Sequence, residues 1–275
     1  MRTVLTTFVL TFSFACVADP AMRTSAKRAP LLGKVKIVRT SGYGFLSEVQ
    51  TKTMSFNKDG YSVDSFNNEG LMLCTYYVDR GKTSGGVEYK YNQRGILVKE
   101  YHWNSETEQN PQDTLYIIFI YDTSDKLVEE RSYISGTKDT GRIKYTYLGE
   151  QLIAKQTVGG NINRTKTFKY NEKGQLIEEN DNITTQYTYD DKGRIKSESE
   201  RYSFGDLKTV YTYDEHNNEV LAEERVSDGS AGRRFVSEYI YDSRGNWTQC
   251  IEDFPKDFEG DPALKQMSIR EIEYY

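Results

Sequence analysis

Histidine is nearly missing from this chain, with only His102 and His216 in 275 residues. One histidine per distant segment makes a histidine-based metal cluster improbable, and both read as solvated loop residues. Cysteine is equally scarce. Apart from Cys16 there are only Cys74 and Cys250, near opposite ends of the patterned region. A disulfide between them would require the two ends to meet, and two buried free thiols are the expected state. No basic stripe exists: Lys and Arg are scattered, the formal net charge is -5 and the pI is about 5.4. Nucleic-acid binding is therefore not expected. Beyond the first 15 residues no apolar run is long enough to span a bilayer as a helix.

What is present in quantity is tyrosine, 22 residues beside 12 phenylalanines. Apolar residues make up 37% and the mean hydropathy is -0.72, polar for a compact globule of this size. Tyrosine carries an apolar ring with a polar tip, so it suits half-exposed faces. A thin, extended sheet would use it in this way.

The N-terminus reads as an export signal. After Met1-Arg2 comes "TVLTTFVLTFSFA", an uncharged apolar run with the length of a signal-peptide core. Two outcomes stay open: cleavage after Ala18, behind the small residues of Cys16-Val17-Ala18, or lipidation of Cys16 as the first residue of a lipoprotein. The expected organisation is a signal over 1–18, a flexible tether over 19–33 with two of the five prolines, and a patterned domain over 34–275. The expected location is the periplasm, the outer-membrane surface or outside the cell.

The patterned domain repeats one stretch. An aromatic, any residue, an aromatic, then Asp or Asn, two free positions, Gly, one free position and an aliphatic describes Tyr89–Leu97, Phe168–Leu176 and Tyr187–Ile195. Tyr239–Trp247 matches with a tryptophan at the end. Phe119–Leu127 has Asp125 in the glycine slot. The copy from Tyr211 has Asn217 there, with a register slip by one anticipated behind it. The copy from Tyr145 has a contracted turn, and weaker copies begin at Ser55 and Ser65. Internal repeats dictate architecture. Alternating aromatics place both rings on one face of a strand. Asp or Asn at the turn's first position bonds backbone amides ahead of it, and Gly at the fourth takes a positive φ. Each copy is thus a β-hairpin with a type I turn closing through a left-handed residue. A lone hairpin is marginal, so consecutive ones must pair. The fold class is all-β: tandem antiparallel hairpins in one continuous twisted sheet, a ribbon or open barrel. "VKIVRT" at 35–40 and the terminal "IREIEYY" are expected to cap its two ends.

These residues resemble the YD repeats of Rhs and teneurin-type proteins over residues 54 to 252. The short form, with "YDSRGNWT" and "IREIEYY", resembles the small secreted YD-repeat proteins of Bacteroidales. The resemblance implies an extracellular β-sheet that coils, used in large members as a toxin-enclosing shell or an adhesive stalk. This chain is too short for such a shell, so only surface recognition carries over.

Motifs for chemistry fail one by one. "GKTSGG" at 81–86 lacks the earlier glycine of a phosphate loop, since position 76 is Tyr76, and reads as a flexible loop. No nucleophile elbow occurs, and "DGSAGRR" at 228–234 is a connection. The oxygen-rich stretches 56–64 and 178–182 do not complete a calcium loop. The doublets Glu129-Glu130, Glu178-Glu179, Asp190-Asp191 and Glu223-Glu224 invite a glycosidase reading. Neighbours on a strand point to opposite faces, so a doublet is not a facing pair, and a solvated outer face is the expected role. No catalytic residue, metal ligand or cofactor is assigned. The expected function is a non-enzymatic binding scaffold for a glycan or a cell-surface protein, with membrane attachment solely through Cys16. The alternative is a structural envelope component assembling through sheet edges. The binding candidates are the repeat aromatics Tyr89, Tyr91, Tyr187, Tyr189, Tyr211, Tyr213, Tyr239, Tyr241 and Trp247. The sequence leaves undivided those that pack the sheet and those that face solvent.

Overall fold

The computed structural model describes residues 31–47, 60–104, 115–135, 141–160, 162–202, 205–228, 231–254 and 264–275. The export signal, Cys16, most of the tether and the first weak repeat up to residue 59 lie outside them. Among the described residues every regular element is a strand. Eight hairpins follow one another: β2/β3 (Gly60–Phe66, Met72–Asp79), β4/β5 (Lys82–Tyr91, Leu97–Asn104), β6/β7 (Leu115–Tyr121, Leu127–Ile134) and β8/β9 (Gly141–Leu148, Gln151–Gly159) come first. Then come β10/β11 (Ile162–Tyr170, Leu176–Asn180), β12/β13 (Thr184–Tyr189, Ile195–Tyr202), β14/β15 (Gly205–Tyr213, Glu219–Val226) and β16/β17 (Ala231–Tyr241, Trp247–Phe254). Before them lies β1 (Val35–Ser47) and after them β18 (Leu264–Tyr274).

Each strand from β1 to β17 pairs antiparallel with its successor. The first and last then pair with each other, from Val35↔Tyr274 to Ser47↔Leu264. The all-β hairpin array is therefore a closed barrel and not an open one. The two segments expected to cap separate ends instead meet, because closure removes unpaired edges more completely than capping does. "GKTSGG" is no flexible loop: Lys82 to Gly86 belong to β4.

Seven of the eight hairpins carry the full turn. Asn67, Asn92, Asp122, Asn171, Asp190, Asp214 and Asp242 each accept the backbone N–H of the residue four positions on through their side-chain oxygen. The left-handed position is a glycine in five of them, Gly193 at φ 79 being one. Asp125 and Asn217 fill it elsewhere at φ 63 and 65, which their short polar side chains tolerate. The copy from Tyr145 turns through Gly149-Glu150, with Leu148 opposite Gln151. The anticipated slip after Asn217 does not occur: Tyr213 faces Glu219 as Tyr91 faces Leu97.

Every hairpin also carries a β-bulge just after the turn. In β4/β5 the register passes from Lys90↔Lys99 to Tyr91↔Leu97, leaving Val98 extra. Leu73, Val128, Ile153, Ile177, Lys196, Val220 and Thr248 are the extra residues elsewhere. One inserted residue reverses the alternation. The aliphatic residue and the residue three positions later therefore share the inward face, and that rule sorts the whole barrel. Val87, Tyr89, Leu97, Ile117, Phe119, Leu127, Tyr145, Leu152, Phe168, Leu176 and Tyr187 form one buried inward cluster. Near the turns the interior is packed, with Leu152 and Leu176 each 2% exposed. Toward the opposite, loop-bearing end it admits solvent, with Tyr77 at 44% and Ile162 at 58%.

Candidate functional site

The repeat aromatics face inward, and the structure uses them in two tiers. The second tyrosine of a motif reaches back to the preceding hairpin and donates its hydroxyl proton to the carbonyl of that hairpin's post-turn residue. Tyr91 bonds Met72 O (2.8 Å), Tyr121 bonds Leu97 O (2.7 Å), Tyr170 bonds Leu152 O (2.9 Å), Tyr189 bonds Leu176 O (2.6 Å) and Tyr213 bonds Ile195 O (2.8 Å). In the Tyr239 copy and on β18 the target changes. Tyr241 donates to Asp214 and accepts from the buried Asn218 (2.8 Å), and Tyr274 does the same with Asp242 and Asn246 (2.7 Å). Each of the first five phenols thereby ties a post-turn carbonyl of one hairpin to the next hairpin.

The first aromatic lies deeper, with Tyr89, Tyr187 and Tyr211 all buried. Tyr145 donates to Glu130 and Tyr211 to Glu198. Burial, then the neighbouring carboxylates, push the phenols of Tyr187 and Tyr211 far above their ordinary range. Tyr121 and Tyr213 rise to about 12, burial again being the larger cause. All four remain proton donors at any physiological pH. Tyr239 is half-buried between Tyr241 and Trp247, its ring centroid 6.1 Å from each. Trp247 is 2% exposed beneath the Arg270 guanidinium, 3.5 Å from its ring centre. The structure thus gathers the candidate aromatics onto the inner wall, where neighbouring hairpins consume their rings and hydroxyls.

Three of the four acidic doublets divide as strand geometry requires, and the fourth, Asp190-Asp191, sits in a turn. Glu129, Glu178 and Glu223 point outward, Glu130, Glu179 and Glu224 inward. The solvated role holds for the outward partner alone, because the bulge delivers the residue three after the aliphatic into the interior. Glu100 and Glu130 are 4% and 6% exposed. His102 is no loop residue but an inward member of β5, its Nε2 2.9 Å from Glu100. His216 does lie in a turn, its ring stacked 3.9 Å from that of Tyr241. Cys74 and Cys250 are free thiols. The latter lies inside opposite Tyr239, while the former faces out beside Ser65. Between β13 and β17 the inner wall encloses a hollow of about 280 Å³, lined among others by Glu198, Tyr211, Glu219, Glu224, Phe235 and Glu252.

The outer wall holds a second set of aromatics that the repeat motif does not include. Tyr101, Tyr116 and Tyr133 lie directly opposite one another on β5, β6 and β7. Their rings are near-parallel, with centroids 5.7 and 5.8 Å apart. That spacing is offset stacking, which leaves part of each face uncovered by its neighbour. Tyr101 is 38% exposed, and the Lys99 ammonium lies 4.8 and 4.6 Å from the centres of the Tyr101 and Tyr116 rings. Beside the file, Tyr76 and Trp103 tilt toward each other across Gly86, 6.2 Å apart. A Cβ on Gly86 would stand 2.6 Å from Thr75 O and 3.3 Å from the Trp103 ring, so glycine is what lets the indole lie down here. Alternation counted from the bulge was the signal for the file, since Tyr101 falls four after Leu97 and Tyr133 six after Leu127. The rest of the outer wall is laced with ion pairs, such as Lys169–Glu178 (2.6 Å), Lys265–Asp253 (3.1 Å) and Arg39–Glu271 (3.2 Å).

No family model matches the chain, and no curated protein matches it. Among solved structures, a Photorhabdus luminescens Tc holotoxin pore carrying a mutated TccC3 aligns with 75% of this chain at 10% identity and TM-score 0.32. A TcdB2-TccC3 structure without its hypervariable C-terminal region aligns with 71% at 14% identity and TM-score 0.34. The aligned parts span 15% and 14% of those two chains. A porin-like protein from Bacteroides uniformis aligns with 88% of this chain and 98% of its own, at 9% identity and TM-score 0.32. Likeness at this level carries no information about activity.

Proposed function

We propose that the chain is a non-enzymatic, exported binding scaffold, and that its ligand, a glycan or a cell-surface protein, is received on the outer wall at β5 to β7. One observation carries this reading: the Tyr101–Tyr116–Tyr133 file, stacked, partly exposed and outside the repeat motif. The inner tyrosines hold the hairpins together, whereas these three keep ring surface toward water. Aromatic area of that kind is what protein partners and sugar rings use. The outward ion pairs support a barrel bathed in water over one immersed in lipid, since a midplane Arg or Lys on a lipid-facing wall costs about 2–4 kcal/mol. The β1–β18 pairing likewise supports the binding reading over assembly through edges, because it occupies both strands that would serve as edges. The test is a thermal-shift screen against soluble host and bacterial glycans. A ligand at a hundred times its Kd adds about 2.7 kcal/mol of stability. A shift that disappears in the Tyr101→Ala/Tyr116→Ala variant supports the platform. A shift that survives it places the ligand elsewhere, and the hollow between β13 and β17 becomes the next place to look.

A further inference from the structure

Among the described residues, the outward side chains around the tyrosine file run against the charge of the chain. Formal net charge is -5, yet the outward residues of β4 to β8 include Lys90, Lys99, Arg131, Arg142 and Lys144 against Glu88 and Glu129. Glu88 pairs with Lys90 at 3.3 Å and Glu129 with Arg131 at 2.7 Å. The two carboxylates are thereby matched to Lys90 and Arg131, and among the described outward residues of these strands Lys99 and Lys144 add positive charge near the rings. Inside the barrel charges of both signs are mixed, Glu100, Glu130, Glu179 and Glu198 sharing the inner wall with Lys155 and Lys166. On β6 the outward residues are Tyr116, Ile118 and Ile120, so the file runs uncharged between cationic flanks.

We infer that the ligand of this face is an anionic polysaccharide, one bearing uronate or sulfate groups. This rests on the binding-scaffold reading and narrows it. Sugar rings lie against the offset tyrosine faces, and their acidic groups meet Lys99 on one side and Lys144 on the other. Lysine held over aromatic faces is a ready counter-ion, already partly stripped of water by the rings beneath it.

The test is calorimetric titration of the chain with heparin as the sulfated probe, polygalacturonate as the carboxylated probe and dextran as the neutral one, at 0.05 and 0.5 M salt. Binding of either acidic polymer, weakened about tenfold or more by the higher salt, is the expected result. Which acidic polymer binds identifies the group recognised. The Lys99→Glu/Lys144→Glu variant, both positions being on the outer wall, should lose that binding while its unliganded melting temperature stays put. Dextran binding with equal affinity and no salt response overturns the anionic assignment but leaves a glycan platform standing. Silence from all three polymers, repeated across a wider glycan screen, overturns the platform itself. Single-stranded DNA binding as tightly as heparin overturns the glycan assignment in favour of indiscriminate polyanion attraction.

Discussion

The tyrosine hydroxyls are where a one-atom change should matter most. Tyr189 and Tyr213 each donate to a post-turn carbonyl of the preceding hairpin. Replacing either with Phe keeps the ring and strands the acceptor, at a cost of about 1–3 kcal/mol. The double variant should depart from the sum, because both bonds involve the β12/β13 hairpin, where Tyr189 lies opposite the acceptor Ile195. Urea titration of the three variants checks both statements. Two aspartates should respond to pH in opposite senses. Burial would raise the Asp190 carboxyl, but backbone N–H groups and the Arg194 guanidinium outweigh it and hold the pKa below the usual 3.8. Its contribution is present above pH 4 and is lost as pH falls through the depressed folded value. Asp190→Asn should therefore be destabilised at pH 7, with the difference from the parent closing as pH falls through the depressed folded value. Asp64 is raised, burial outweighing the Thr75 hydroxyl and Arg270. The folded state then resists its ionisation, so stability drops as pH climbs from about 4 through the raised value. Asp64→Asn should melt higher than the parent at pH 7, with the gap closing toward pH 4. A constant gap across that range would assign the effect to packing.

The hairpin was the most legible element of the sequence, because everything that specifies it lies within nine consecutive residues. Alternating aromatics, an Asx turn and a left-handed closing residue came through in all but detail, down to Asp125 and Asn217 standing in for glycine. At such a φ, glycine is strain-free and alanine is not. Asn217→Gly should leave stability within about 0.5 kcal/mol, the lost Arg194–Asn217 bond (3.0 Å) offsetting the relieved strain. Asn217→Ala should cost about 1 kcal/mol. Comparing the two melting temperatures isolates the backbone term. The division into inner and outer faces was harder to read. It depends on the bulge, which leaves no residue signature of its own. A trace existed nonetheless, since "LVKE", "LVEE", "LIEE" and "IKSE" each place a glutamate three after the aliphatic. A residue spacing that recurs at four hairpins marks a common face. Here the face was the interior and not the solvent.

For the molecule as a whole, what the sequence withheld was closure. Nothing local to 35–40 or to the C-terminal strand says that they pair, and Lys36 finds Glu273 (2.6 Å) across 237 positions. The outer aromatic file was hidden for a related reason. Tyr101, Tyr116 and Tyr133 belong to three strands and acquire meaning only once the register is fixed. Residues that build the barrel repeat, and residues offered to a ligand need not. A search for the repeated tyrosines therefore finds the wall before it finds the platform.

The seam between β1 and β18 sets the order of events when the chain folds. Every other strand pairing joins neighbours in sequence, and such contacts cost little loop entropy and form quickly. The seam must wait for the ends of the array to find each other. Until then the molecule is an open sheet with two bare edges, the species that captures a second copy of itself. Refolding should show a fast phase that builds most of the β signal, followed by a slower one in which amides of β1 and β18 gain protection from exchange. Raising the protein concentration during the slow phase should trap dimers that have traded end strands. Simultaneous protection of all eighteen strands would mean that the ring closes as it forms.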